Sequence, residues 1–353
     1  MEQKIEVLLL SQKEVIEAGV MDFDKAIEDV EKAYSMLDKG QGEEPVCPQI
    51  WIKDPEVGAN LFAFHPGSLA GDVDVIGIKA ITRFPKNPSR FGIPLRNGMI
   101  ELMERNSGKP ITLMDAEIIT NLRTGCATAV GAKYLARKDS RVAGLLGAGA
   151  VQYMQIVALS KVMKNLELVK IYDIYPEKAE TFTKELAEKM SFEIKAVPSA
   201  EEAVRDSDIV APATLVTLDQ RYIKPEWIKQ GSFLANLSDN DYTFDAIKKA
   251  DRIVIDGHKQ FHIPVVIGEM VKKGMLKPED TDTIGSVINQ KVPGRQSDEE
   301  IIFYSTLGMG VLDIIIAKRI YDKAKELGIG QVWTIWDKNV SPASLIAKGL
   351  SYA

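Results

Sequence analysis

Between residues 11 and 39, Val15, Ile16, Val20, Phe23, Ile27, Val30 and Tyr34 recur at helical intervals with acidic residues between them, which predicts two amphipathic helices. The pattern then changes. Ile50-Trp-Ile, Asn60-Leu-Phe-Ala-Phe, Val75-Ile-Gly-Ile-Lys-Ala-Ile-Thr and Gly98-Met-Ile-Glu-Leu-Met-Glu are rich in strand formers and separated by Gly, Pro and Asp. Arg105-Asn-Ser-Gly108 reads as a hairpin turn into Pro110-Ile-Thr-Leu-Met, so this sheet is expected to be at least partly antiparallel. From Asp115 to Arg137 the period is helical, and the middle of the helix is poor in bulk: Thr124, Gly125, Cys126, Ala127, Thr128, Ala129, Gly131 and Ala132. Small residues at this density permit close backbone approach, either by a neighbouring element or by a cofactor ring.

Residues 141 to 256 alternate strand and helix, with strands expected at Arg141–Leu146, Glu167–Tyr172, Phe192–Ala196, Ile209–Ala213, Ser232–Asn236 and Arg252–Ile255. Ser199-Ala-Glu-Glu202 has the spacing of a helix-capping box. The fold class is therefore α/β: a Rossmann-type doubly wound parallel sheet plus a second α+β domain. A long helix from Val311 to about Leu327 is expected to return to the N-terminal domain, because the parallel sheet would already be complete. For 353 residues this gives two domains, residues 1–126 with 314–353 and residues 127–313.

Composition narrows the class. Hydrophobic residues at 45% and charged residues at 27% suit a globular protein, and a formal charge of −6 argues against a nucleic-acid or anionic-membrane surface. The start, Met1-Glu-Gln-Lys-Ile-Glu6, has no basic region leading into an apolar run, and no apolar run approaches membrane-spanning length, so a cytoplasmic protein is expected. Cys47 and Cys126 are in no metal-ligand spacing and read as free thiols. His258 and His262 are bracketed by Gly257 and Pro264 as a loop, and no metal site is expected.

The most specific chemistry lies in Val142-Ala-Gly-Leu-Leu-Gly-Ala-Gly-Ala-Val-Gln152, followed by Leu168-Val-Lys-Ile-Tyr-Asp173. Strand, glycine turn, helix, strand and terminal carboxylate appear in the order of a dinucleotide site. Gly147 permits the tight turn, Gly149 lets the backbone approach a pyrophosphate, and Ala150 and Val151 open the helix whose free amides receive it. Gln152 stands where a third glycine would complete the pattern. Asp173 lies 24 residues past Gly149 and is placed to take ribose hydroxyls. Ile174-Tyr175-Pro176 offers nothing to neutralise a 2′-phosphate, which favours NAD over NADP, although Lys178 is near.

Two cations stand out. Lys79 sits in an apolar strand with Gly77 keeping the same face open, and Arg123 lies among alanines and glycines. Such side chains can extend their heads to water past apolar neighbours, but two of them beside a nicotinamide site fit a carboxylate clamp better. Asp239 and Asp241 follow an expected strand at the carboxyl edge of the sheet, where open α/β folds place ligands, and either is a candidate acid/base. Ser305-Thr306 with Gly308 and Gly310 reads as a helix start or as a wall of the nicotinamide pocket.

In combination, Gly77-Ile-Lys79, Phe84-Pro-Lys-Asn87, Gly92-Ile-Pro94, Ser107-Gly-Lys-Pro110, Met114-Asp-Ala116, Leu122-Arg-Thr-Gly125, Gly147-Ala-Gly149 and Ser305-Thr-Leu-Gly308 with Asp313 resemble the ornithine cyclodeaminase and mu-crystallin family from about Phe64 to Gly330. The resemblance implies a homodimer formed through the N-terminal domain, an active site between the two domains, and an amino-acid or imine substrate. It makes Lys79 and Arg123 carboxylate binders, Asp241 the catalytic aspartate, and Thr124 and Thr306 cofactor contacts beside Gly147, Gly149, Ala150, Val151 and Asp173. The reaction implied is hydride transfer between NAD and a substrate Cα; cyclodeamination of ornithine or lysine with release of ammonia, and a mu-crystallin-like binding role, are the alternatives. Three departures surround the substrate. Gln49 after Pro48 stands where the family has an arginine, Ala63 stands where ornithine-specific members have a glutamate, and the segment after Asp241 is short.

Overall fold

The computed structural model describes residues 4–54, 58–238, 240–337 and 341–350. Its first sheet begins with β1 (Ile5–Leu10), β2 (Gly42–Glu43), β3 (Gln49–Asp54), β4 (Gly58–Leu69), β5 (Val75–Arg83), β6 (Arg96–Glu104) and β7 (Pro110–Asp115). The expected helices are Gln12–Glu17, capped by a Ser11–Glu14 box, and Phe23–Asp38, capped by Asp22. The β6–β7 hairpin is antiparallel, with Gly108 at φ +69° in its turn. β1 joins β7 in parallel, which makes the sheet mixed.

The second sheet comprises β8 (Val142–Leu146), β9 (Leu168–Tyr172), β10 (Glu193–Ala196), β11 (Ile209–Pro212), β12 (Phe233–Asn236), β13 (Arg252–Ile255), β14 (Thr281–Thr283) and β15 (Ile302–Ser305). Its order is β10-β9-β8-β11-β12-β15-β13-β14, with every described pairing parallel. The central strands β8, β11, β12 and β15 are buried on both faces and read as apolar runs, whereas β10 alternates, with Glu193 and Lys195 exposed. Phe233, Ala235, Ile302 and Tyr304 belong to one apolar layer, while Leu234, Phe303, Ile247 and Val266 form the other.

One expectation is corrected here. The sheet is not complete after residue 256, because β15 inserts between β12 and β13, placing Ser305 opposite both Asn236 and Ile255. An isolated four-residue apolar run carries no period of its own, and only pairing on both sides distinguishes it from the start of a helix. The return of the chain to the first sheet is as expected. Helix Gly310–Leu327 packs on β4, β5 and β6, and β16 (Gln331–Trp336) then adds antiparallel to β1.

The small-residue stretch in helix Glu117–Leu135 is explained by packing. A Cβ on Gly125 would lie 2.7 Å from the amide nitrogen of Gln155 in helix Ala150–Val162, and one on Gly131 would overlap the Tyr304 ring. Helix backbone at Gly125 and the Tyr304 side chain of β15 at Gly131, rather than a cofactor ring, account for these two positions.

Candidate active site

At the carboxyl end of β8, Gly147 adopts φ +87°, and its amide donates to Tyr172 O at 2.7 Å. Gly149 precedes helix Ala150–Val162 with no side-chain cap among the described residues, and a Cβ there would meet nothing within 4 Å. Gly149 and Ala150 are exposed and Val151 is half-buried. An uncapped helix start beside open space is the arrangement a phosphate needs, since the first-turn amides have no intrahelical acceptor. Asp173 stands one residue past β9. Its Oδ2 accepts from Ala148 N at 2.8 Å and its Oδ1 from Tyr175 N at 2.9 Å, which fixes the carboxylate against the turn while leaving lone pairs unused. The Lys178 ammonium lies over the Tyr175 ring, 4.6 Å from its centroid.

Gln152, in the place of the third glycine, is fully buried and donates from Nε2 to Ala211 O on β11 at 3.0 Å. Gln155 donates to Gln152 Oε1 at 2.6 Å, and Thr128 donates to Gln155 Oε1 at 2.7 Å. A side-chain ladder thus ties helix to strand where a glycine would let them touch directly. The residues present fit a dinucleotide.

A second constellation lies between the two sheets. The strict burial alternation of β5 puts Val75, Gly77, Lys79 and Ile81 on the face that meets helix Gly310–Leu327. Lys79 Nζ is 2.7 Å from Asp313 Oδ2, with both side chains fully buried. Arg123 Nε donates to Asp313 Oδ1 at 3.3 Å, and its Nη atoms lie against Gly308, whose φ of +80° and missing Cβ leave room for the guanidinium. Burial, then repulsion by Arg123, pulls the Lys79 ammonium down from 10.5 to about 8, and Asp313 opposes both.

Lys259, in the turn after β13, joins from the other body. Its Nζ is 2.6 Å from Glu44 Oε1, 3.3 Å from Gly308 O and 3.7 Å from Cys47 Sγ. Glu44 also accepts from Gly310 N at 2.9 Å and Val311 N at 3.0 Å, so it caps the helix that carries Asp313. His65, paired in register with Lys79, places Nδ1 3.2 Å from Cys47 Sγ. Burial, followed by the charges of Lys79, Arg123 and Lys259, holds the imidazole well below its usual value, and burial pushes the Cys47 thiol up. His65 and Cys47 are therefore a neutral pair at physiological pH, and the cations Lys79, Arg123 and Lys259 are matched by the carboxylates of Glu44, Asp313 and Asp256, the last accepting from Gly308 N at 3.1 Å and acting on Lys259. At Asp313 itself two cations share one carboxylate, and that corner suits a carboxylate brought by a ligand.

Asp241 is not part of this constellation. It is fully buried at the carboxyl edge of the parallel sheet, where Oδ1 accepts from Tyr222 Oη at 3.0 Å and from Thr214 Oγ1, and Oδ2 accepts from Ser238 Oγ. Burial raises its pKa, and the three hydroxyls oppose the rise. Thr214 connects it to the glycine turn, because a Cβ on Gly147 would meet Thr214 Cγ2 at 3.3 Å. Asp239 lies outside the described residues. Thr124 is half-buried and spends its hydroxyl on Thr120 O at 2.7 Å, while Thr306 is buried and donates its amide to Asn236 O at 2.9 Å. Gln49 is exposed and accepts from Trp51 Nε1 at 3.2 Å, and Ala63 opposite it in register is buried. His258 stacks on Phe261 with centroids 5.7 Å apart.

Sequence reasoning missed Lys259 and Glu44, and it cited Asp313 only within a motif. A lysine eighteen residues past Asp241 in a His-rich loop carries no local sign that it will be buried, and Glu44 reads as one acidic residue of a polar loop. The available signal was indirect: two buried cations need a carboxylate, and Asp313 is the acidic residue within the apolar first half of its helix.

Comparison with known proteins agrees with this geometry. An alanine dehydrogenase of Archaeoglobus fulgidus is 32% identical over 332 residues, covering 92% of this chain and 98% of the relative. N-((2S)-2-amino-2-carboxyethyl)-L-glutamate dehydrogenase of Staphylococcus aureus is 27% identical, covering 94% and 99%. Among solved structures, Thermococcus litoralis Δ1-pyrroline-2-carboxylate reductase in complex with NADH and L-proline superposes with a TM-score of 0.83 at 30% identity, covering 92% of this chain and 99% of that one. An archaeal alanine dehydrogenase dimer with bound NAD also gives 0.83 at 30% identity, covering 94% and 100%. The family model for ornithine cyclodeaminase/mu-crystallin matches residues 5–328, a span that takes in the glycine turn and every member of the buried ionic cluster, so the chain belongs to the ornithine cyclodeaminase/mu-crystallin family.

Proposed function

We propose that this protein is an NAD-dependent oxidoreductase that moves hydride between the nicotinamide and the Cα of an amino acid or its imine. The observation that carries the reading is a pair of sites in one chain: an open glycine turn with Asp173 beside it, and a buried corner where Lys79 and Arg123 share the carboxylate of Asp313. NAD supplies the hydride acceptor and donor when bound. Gly147, Gly149, Ala150 and Val151 would hold its pyrophosphate, Asp173 its ribose, and Thr124 and Thr306 would contact its nicotinamide half.

Lys79 and Arg123 would hold the substrate carboxylate, with Asp313 fixing both heads so that little reorganisation is needed on binding. Asp241 would exchange the proton at the substrate nitrogen or at an attacking water, with the Thr214 and Tyr222 hydroxyls on its path. Burial holds the Asp241 proton more tightly than in an exposed aspartate, which is the direction a proton-exchanging group needs. The relatives that are dehydrogenases and reductases support net hydride transfer over cyclodeamination, and the buried Ala63 offers no carboxylate for a second substrate amine.

We place the domain boundaries at residues 1–126 with 314–353 and 127–313, so that each falls inside a helix, Glu117–Leu135 or Gly310–Leu327. A homodimer formed through the first body would cover Ile50, Trp51 and Met99, each about half exposed. The deciding experiment follows NADH and ammonia together across alanine, ornithine, lysine, opine-type secondary amines and cyclic imines. Net NADH change with one class is expected. Ammonia release from ornithine or lysine with no net NADH change would replace the proposal with a cyclodeaminase, and silence with tight NAD binding would replace it with a binding protein.

A further inference from the structure

At the carboxyl end of β12, Asn236 terminates a chain of side-chain hydrogen bonds whose direction is set by a buried carboxylate. Asp256 Oδ2 accepts from Leu307 N at 2.8 Å and Gly308 N at 3.1 Å, and Oδ1 accepts from Gln260 Nε2 at 2.6 Å. Gln260 Nε2 also donates to Ser305 O at 2.8 Å, so its amide nitrogen is committed and its Oε1 must accept. It accepts from Ser305 Oγ at 2.8 Å. With the Ser305 proton used, its oxygen can only receive a bond, which comes from Asn236 Nδ2 at 3.1 Å. The alternative amide orientation would set two acceptors against each other, so Asn236 Oδ1 must point away from the chain. That oxygen has no hydrogen-bond partner among the described residues, although Asn236 is only 2% exposed.

A buried carbonyl held without a donor costs free energy, and such a position is retained where a ligand or water completes it. Its place in the fold selects the ligand. Counting from the glycine-turn strand β8, Asp173 and β9 lie to one side, and β11 and β12 lie to the other. A dinucleotide lying across this switch point puts adenosine over β9 and nicotinamide over β11, β12 and β15. Asn236 is two strands from β8, about 10 Å across the sheet, and its backbone carbonyl receives the Thr306 amide.

We infer that Asn236 Oδ1 accepts a hydrogen bond from the carboxamide N–H of the bound nicotinamide, and that the Asp256–Gln260–Ser305 chain positions it to do so. The inference rests on the NAD reading above and adds to it a residue that recognises the carboxamide. The test is binary dissociation constants, measured by fluorescence or calorimetry without substrate, for NAD, for its thionicotinamide analogue, which keeps the N–H donors, and for its acetylpyridine analogue, which replaces them with a methyl group. The wild-type protein should bind NAD and the thio analogue alike and the acetylpyridine analogue about tenfold more weakly. In Asn236→Leu the gap should close to within about twofold, and if that variant does not fold, Ser305→Ala should narrow it by releasing the asparagine. Equal binding of NAD and the acetylpyridine analogue to the wild type overturns the inference, as does a gap that survives Asn236→Leu. Failure of all three dinucleotides to bind overturns the NAD reading itself and the inference with it.

Discussion

At the glycine turn the protein presents backbone: Gly149 faces open space, Ala150 and Val151 start a helix without a side-chain cap, and the one carboxylate nearby is held by main-chain amides. Around Asp313 it presents buried side chains already paired before any substrate arrives: Lys79 and Arg123 on Asp313, and Lys259 on Glu44. The first half of the site keeps vacant amides that a ligand completes, while the second has already met the cost of removing its charges from water. Cofactor binding should therefore depend on steric access and little on stability, whereas the substrate half should lose stability and activity together.

The largest expected break is Asp313→Asn. It leaves Lys79 and Arg123 as uncompensated buried cations, and we expect a stability loss of about 3–5 kcal/mol in denaturant titration together with a fall of at least about a hundredfold in kcat/KM. Removing both cations with the carboxylate, as Lys79→Met and Arg123→Met combined with Asp313→Leu, should restore folding without restoring activity. Arg123→Lys keeps the charge but not the planar fork, and KM for the amino acid should rise about tenfold to thirtyfold with a smaller change in kcat. A rise in kcat/KM for either variant would remove the carboxylate role.

The pH profile gives the next effect. Because Lys79 is pulled from 10.5 down to about 8, its ammonium is present below that value and lost above it. The free-enzyme parameter kcat/KM should be flat on the acid side of pH 8 with respect to this group and fall about tenfold per unit above it, and Lys79→Arg should remove that limb. At the other half, Gly149→Ala should weaken NAD about tenfold with Tm almost unchanged, since φ there is −90° and the new methyl meets no protein atom. Gly147→Ala should do the reverse, lowering Tm, because its φ is +87° and the added Cβ would sit 2.7 Å from Ala213 O. The smallest effect should be Lys178→Ala, which shifts the NAD to NADP preference by no more than about threefold, since the ammonium is engaged with the Tyr175 ring.

The same contrast separates what the sequence disclosed from what it did not. Gly147, Gly149 and Asp173 lie within one strand-turn-helix-strand unit, so their spacing alone placed them at one turn. Lys79 and Arg123 were visible as charges in apolar surroundings, and the alternation of β5 explains why Lys79 points inward. The carboxylate that joins them was not visible in that way, because Lys79 and Asp313 are 234 residues apart and nothing local records the contact. Lys259 and Glu44, 215 residues apart, are the same case. β15 was missed because it owes its strand state to neighbours on both sides, and the helix-to-helix contact at Gly125 left its small residues open to two readings until the partner backbone was in place.

Glu44 caps a helix whose first amides lie 266 and 267 residues further along the chain, and β16 closes the sheet that β1 begins. During synthesis the N-terminal body therefore cannot finish until the chain has emerged through Trp336, whereas β8 to β15 form one uninterrupted stretch that can assemble first. The dinucleotide-holding half is expected to mature early, and the substrate-holding half to be assembled last, around a partner that already exists.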